Sequence, residues 1–404
     1  MNPVLALAFV LAAGLAATRL SLPHVRPRLS LDLAVAAGAP FILAGLVLGP
    51  ALRVLDHATL RALAPVTALG IGWAGAMLGA QLEWRFLRRI PWRAWALAAL
   101  QAAAVFVVTV LTARLLVRII PALRPAWRPT TPALLTLAAV AMISGPGAVA
   151  LVARALRVST SLTRALTLAA LLDTVFGALV FAFALGLSQP HRTFAGAALG
   201  WAHWIAVAVA SSGGVGVLFL WLSRLRGNTD TNALGLELLA AVLLGSGLGW
   251  AADLSPFIVC ALATALIVNL SPFRRRVQNL LASWAQPVYA VFLILIGALL
   301  DAPTMWIVPA ALLLGVSRVA TRWASVRYGR GWVGGEAAAL PRRFGLATVA
   351  QGGVPLALAL SFHLTYVGSG GSLLTTVLLG VAVAQAVAAP LMALALRPAP
   401  VEVS

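Results

Sequence analysis

Charged side chains are scarce in this sequence, at 10% of its residues, where a soluble domain carries about 25%. With 62% hydrophobic residues and a mean hydropathy of +0.99, the chain reads as an integral membrane protein. Cysteine occurs once, at Cys260 within an apolar run, which excludes an intrachain disulfide and a thiolate metal cluster. The five histidines, His24, His57, His191, His203 and His363, lack the i, i+4 or short-loop spacing of a metal site. No cofactor is implied. Period-2 alternation is missing as well, which excludes a membrane barrel. No nucleophile–base pair or metal constellation accompanies the acids of the apolar runs, so an enzyme is not expected.

What the sequence does have is apolar runs of about 18 residues or more, each able at about 1.5 Å per residue to cross a hydrocarbon core of about 30 Å as a helix. Reading between Arg- and Pro-bearing breaks predicts an all-α polytopic fold of about thirteen transmembrane helices. They fall at about 3–20, 31–50, 62–81, 94–117, 132–153, 163–187, 196–222, 231–250, 255–271, 285–300, 304–325, 344–365 and 372–396. MNPVLALAF has no basic n-region, so the first run reads as a span and not as a signal peptide.

The net charge of +19 invites a nucleic-acid partner, yet no segment stands outside the membrane to bind one. All 29 basic residues are arginine, and they sort by side: twenty fall in odd-numbered connections and seven in even-numbered ones. Excess positive charge marks cytoplasmic loops. The odd connections are therefore expected inside, with the N-terminus outside and the C-terminus, including Arg397, inside. Of the two arginines left after that sorting, Arg318 falls inside a span and Arg397 is terminal.

Two spans are interrupted. The fifth contains Ser144-Gly145-Pro146-Gly147 and the twelfth Gln351-Gly352-Gly353-Val354-Pro355. Glycine lowers helix propensity and proline deletes a backbone donor, so both segments should carry unwound backbone between half-helices. Such backbone is tolerated at membrane depth only where it is buried in protein or lines a wet cavity. If the seventh span, about 196–222, is a linker, the chain is one membrane domain, 1–404, with repeat one at about 1–190 and repeat two at about 231–396. The breaks then occupy the fifth span of each half, the pattern that points to the substrate site of an inverted-repeat secondary transporter. Asp173, close to the middle of ALTLAALLDTVFGALVFAFAL, and Arg318 each lie one span from a break. A charge in hydrocarbon costs several kcal/mol unless paired or wetted, which makes both residues functional candidates, while a structural Asp–Arg pair stays open. Glu237, a turn or two inside the eighth span, reads better as a snorkelling or interhelical residue.

These pieces resemble the monovalent cation:proton antiporters, the superfamily of sodium/proton exchangers and potassium efflux systems. The resemblance runs over nearly the whole chain: FILAGLVLGP at 41–50, GAMLGAQLEWRFLRR at 75–89, SGPGAVALVARAL at 144–156, LLDTVFGALV at 171–180, SRVATRWASVR at 317–327 and QGGVPLALAL at 351–360. It implies that Asp173 is the ion- and proton-carrying aspartate, that Arg318 is the basic residue facing it near crossed half-helices, and that Ser144 and Gln351 offer oxygen ligands at the breaks. It implies also a multi-pass protein of a prokaryotic plasma membrane, working as a homodimer against the lipid bilayer. The sequence departs from the family where Leu172 replaces an Asn or first Asp, Gly145 an occasional second acid, and Leu168 a glutamate. Asp173 is left as the sole membrane-centred carboxylate, and no soluble regulatory domain is expected after PAPVEVS.

The expected activity is exchange of Na+ or K+ for H+ by alternating access at Asp173. A carboxylate binds either a proton or a desolvated cation, whose remaining shell would come from Ser144, Thr174, Gln351, freed carbonyls and water. With one carboxylate, exchange should be electroneutral. Two other readings stay open: an anion-coupled or organic-anion transporter of similar architecture, using Arg318 and half-helix N-termini, and a non-transporting membrane scaffold or sensor.

Overall fold

The computed structural model describes residues 3–20, 38–188, 193–194, 197–198, 200–225, 231–301, 303–366 and 371–396. Expectations placed on residues 31–37, Arg26, Arg28, Arg192, Arg226 and Arg397 lie outside the described residues. Apart from a two-residue antiparallel pairing of Thr193–Phe194 with Ala197–Ala198, the regular structure described is helical. The main helices are α1 (Pro3–Leu20), α2 (Ala39–Leu46), α3 (Ala64–Gly79), α4 (Trp92–Ile119), α5 (Thr131–Met142), α6 (Pro146–Ala155), α7 (Thr160–Ser188) and α8 (Trp201–Leu225). They continue as α9 (Thr231–Ala251), α10 (Pro256–Leu270), α11 (Arg274–Ala298), α12 (Ile307–Val333), α13 (Phe344–Ala347), α14 (Val354–Thr365) and α15 (Gly371–Leu396). Eight stretches are long and apolar enough to cross a membrane, and shorter apolar helices of 10–17 residues accompany them.

Local chemistry sets the helix starts. Thr130 caps α5, its hydroxyl oxygen accepting from the Ala133 N–H at 3.4 Å. Helices α3, α5, α6, α10 and α14 carry proline in their first two positions, where its missing N–H removes no helical bond.

Small residues then set how closely the helices pack. A Cβ on Gly75 or Gly79 of α3 would lie 2.1 Å from the carbonyl oxygen of Phe257 or of Ala261, respectively, in α10. Helix α2 and the turn after it meet α11 in the same way, since a Cβ on Gly45 would lie 2.0 Å from the Ile294 oxygen and one on Gly49 2.6 Å from Ala298 Cα. Each pair of glycines is four residues apart, which lays bare backbone along one helix face. Around these contacts α4 packs on α12, α5 on α7, and α12 on α15.

Three sequence expectations are corrected. The tenth span, expected at 285–300, begins at Arg274, because nothing between that residue and the tolerated Pro287 stops a helix. The eleventh, expected to end near 325 with Arg322 counted in the connection beyond it, runs to Val333, and Arg322 stands well inside the helix. Gly334, at φ 68°, ends it. The breaks also lie earlier than expected: the unwound residues are 143–145 and 348–353, which include Ser144, Gly145, Gln351, Gly352 and Gly353. Pro146, Gly147 and Pro355 instead form the first turns of α6 and α14, where proline starts a half-helix at no cost in hydrogen bonds.

Candidate functional site

The two breaks cross. The Gly145 N–H donates to the Ala350 carbonyl at 3.0 Å, and a Cβ on Gly145 would lie 2.4 Å from the Gly352 nitrogen. Only a residue without a side chain lets the two unwound strands approach so closely. Midway along α7, Asp173 faces this crossing, 1% exposed.

Three donors converge on one oxygen of Asp173. Its Oδ2 accepts from Arg322 Nη1 at 2.6 Å, Ser144 Oγ at 2.9 Å and Gln101 Nε2 at 3.1 Å. Arg322 is itself fully buried; its Nη1 also reaches Thr348 Oγ1 at 3.3 Å and its Nη2 donates to the Met142 carbonyl. Among the described residues its Nε has no partner. The other carboxylate oxygen, Oδ1, receives no donor from the described residues.

Arg318 does not meet Asp173, and here the sequence expectation is corrected. Its Nε donates to the Ala141 carbonyl at 2.7 Å, Nη1 to Val349 at 2.9 Å and Nη2 to Ile143 at 2.9 Å. Those carbonyls lost their helical partners when α5 stopped and the second break opened, and buried carbonyls must be satisfied. Arg318 thus replaces the missing turn. Gln351 does the same work, its amide donating to Val140 at 3.0 Å and Ile143 at 3.3 Å.

Thr174 and Ser144 are placed by single hydrogens with two acceptors each. The Thr174 hydroxyl lies 2.6 Å from the Ser144 carbonyl and 2.8 Å from that of Ala170, so it pins the break and is not bonded to the carboxylate. The Ser144 hydroxyl chooses between Asp173 and the Thr348 carbonyl, 2.7 Å away. With Asp173 ionised, the hydroxyl can donate to the carboxylate; with Asp173 protonated at Oδ1, it can donate to the Thr348 carbonyl instead. The site therefore has a hydrogen-bond arrangement for each protonation state.

A cavity of about 350 Å³ opens beside the carboxylate, lined by Asp173, Gln101, Ala98, Leu168 and Leu172, and by Trp92 and Arg93 towards its mouth. Its exposed lining residues Pro91, Trp92 and Arg93 put that mouth on the side of the arginine-rich connection before α4. A larger groove, about 610 Å³, runs between α5, α12 and α15 with mainly apolar walls and does not reach Asp173.

A family model for the transmembrane region of sodium/hydrogen exchangers matches residues 5–395. The chain belongs to the sodium/hydrogen exchanger family. This is a family of transporters and not of enzymes, in agreement with the sequence expectation. Its fold is similar to that of the sodium proton antiporter MjNhaP1 from Methanocaldococcus jannaschii at pH 8, with a TM-score of 0.67 at 13% identity, over 98% of this chain and 99% of that one. No curated protein matches the sequence.

Sequence reasoning missed Arg322 and Gln101. Arg322 carried a usable signal: Leu314, Arg318, Arg322, Val326 and Gly329 form one buried stripe of α12 at helical spacing. Gln101 is a single amide in an otherwise apolar run, 5% exposed.

Proposed function

We propose that this exchanger trades a monovalent cation, sodium or potassium, for a proton at Asp173. The observation that carries the reading is one buried carboxylate at the crossing of two broken helices, with one oxygen engaged and the other without a donor among the described residues, beside a cavity. On this reading Oδ1 takes either the proton or the cation, and occupancy by one excludes the other. Leu172 and Gly145 offer no second acid, which supports one-for-one exchange. The cation's remaining ligands would be Ser144 Oγ, break carbonyls and water; Thr174 and Gln351 serve by holding those carbonyls in place.

By the positive-inside rule the cavity mouth is cytoplasmic, so this is the inward-facing state of an alternating-access cycle. We further read the chain as a homodimer of a prokaryotic plasma membrane, N-terminus outside, built of two inverted repeats. The anion-transport reading gains from the two arginines beside one carboxylate, but loses because all three donor nitrogens of Arg318 are taken by carbonyls.

Purified protein in vesicles with a lumenal pH dye tests the proposal. Added sodium or potassium should move protons in the wild type, and Asp173→Asn, which neither titrates nor carries charge, should abolish that movement while remaining folded. Cation-driven proton movement surviving in Asp173→Asn would remove Asp173 from the cycle. Movement driven by anions alone would select the anion reading, and none at all the scaffold reading.

A further inference from the structure

The motif GAMLGAQLEWRFLRR has no part in the exchange site, and it ends in a cleft of its own. Arg85 and Arg89 from this segment converge with Arg274 and Arg275 of α11 on a cavity of about 310 Å³, where Glu83 is the one carboxylate in the lining. Glu83 is held by Arg274 at 2.9 Å, leaving an excess of three positive charges in the cleft.

The side of the membrane explains why arginines are here, but not their arrangement. Arg274, Arg275 and Arg276 form the first turn of a 25-residue helix that has no acid in that turn. The N-terminus of a helix is its positive end, where anions are favoured and cations are not. Four guanidinium groups and a helix N-terminus facing one small cleft repel one another unless an anion joins them.

The cleft is also held rigidly. Asn269 at the end of α10 accepts from the Trp84 N–H at 2.6 Å and donates to the Leu82 carbonyl at 2.8 Å. Gln278 donates to the Ala80 carbonyl at 2.8 Å. Four contacts from α10 and α11, counting the Arg274–Glu83 pair, thus fix the loop that presents Arg85 and Arg89. Around the rim, Trp84 and Leu270 are each 55% exposed and Phe86 45%. Exposed aromatics beside arginines mark the depth of lipid headgroups, and Arg88 stacks over Trp84 at 4.7 Å.

We propose that this cleft binds the phosphate of an anionic phospholipid headgroup, with the rim side chains against its glycerol and upper acyl segments. The bound phosphate offsets the charge excess and ties the α3–α4 loop to the α10–α11 corner through a lipid.

The test uses the full chain in detergent, with phosphatidylglycerol, phosphatidylcholine or inorganic phosphate added, and reads the thermal-unfolding midpoint against ligand concentration. Phosphatidylglycerol should raise the midpoint and phosphatidylcholine should not. Arg89→Gln and Arg275→Gln should each weaken the phosphatidylglycerol response about fivefold, the factor expected per surface arginine, while Arg118→Gln at the far end of α4 should leave it unchanged. Glu83→Gln keeps every arginine, frees Arg274 and should tighten the response. Equal loss in Arg118→Gln, no loss in the two cleft variants, or an unchanged response in Glu83→Gln would overturn the site. Inorganic phosphate reproducing the full effect would overturn the lipid assignment.

Discussion

Arg318 and Arg322 are four residues apart on α12, share one face, and have different roles. Arg318 donates only to backbone carbonyls, so its loss strands those of Ala141, Ile143 and Val349. A hydrogen bond to a charged donor contributes about 1.5–3 kcal/mol, and Arg318→Ala should therefore lower the unfolding midpoint strongly, with exchange lost through misfolding. On the proposed reading, Arg322 competes with the cation for Asp173. Arg322→Gln keeps an amide donor near Thr348 and Met142 but removes the competing charge, so the apparent KM for the cation should fall while the protein stays folded. An unchanged KM in Arg322→Gln, or a midpoint untouched in Arg318→Ala, would reverse these roles. Asp173 was legible in the sequence because one carboxylate in a long apolar run has no ordinary reason to be there. Arg322 was overlooked despite its helical spacing from Arg318, because the arginines at 322, 327 and 330 resemble the end of a span, whereas the helix continues to Val333. Which arginine reaches the acid depends on helix register across two segments distant in sequence, and no local pattern encodes it.

At the scale of elements, both breaks could be read locally, since glycine and proline act on the backbone where they stand. Their exact extent could not: whether a proline lies in a gap or opens the next helix depends on what its neighbours bond to. The crossing itself is a tertiary fact, and it divides the glycines into two kinds. A Cβ on Gly145 meets the Gly352 nitrogen at 2.4 Å, whereas one on Gly147 meets nothing within 4 Å. Gly145→Ala should therefore force the crossing apart, at about 1–3 kcal/mol for overpacking, and abolish exchange. Gly147→Ala should be neutral or stabilising by up to about 1 kcal/mol, since alanine is the better helix former. Thermal midpoints of the two variants, measured side by side with vesicle exchange, check this; equal effects would mean the crossing is not tightly packed.

At the scale of the whole molecule, the packing supports the proposal of two inverted repeats. Numbered as spans, the glycine-mediated contacts join the second with the tenth and the third with the ninth, and advancing the first-half spans by seven while taking second-half spans back by seven turns one pair into the other. The pairing of α4 with α12, fourth with eleventh, maps onto itself. Such a frame would move as a unit around one charge-bearing centre, and that centre determines how exchange responds to voltage. On the proposed reading, a proton or a monovalent cation bound at Asp173 adds the same single positive charge to the centre. In such a cycle the loaded states that cross in opposite directions would carry equal charge, and a full cycle would move none across the membrane. We predict exchange rates independent of membrane potential, measured in vesicles whose potential is clamped by an ionophore for an ion the protein does not carry. A clear voltage dependence would mean that a second group carries a proton, and Glu237 on α9 would be the first residue to substitute.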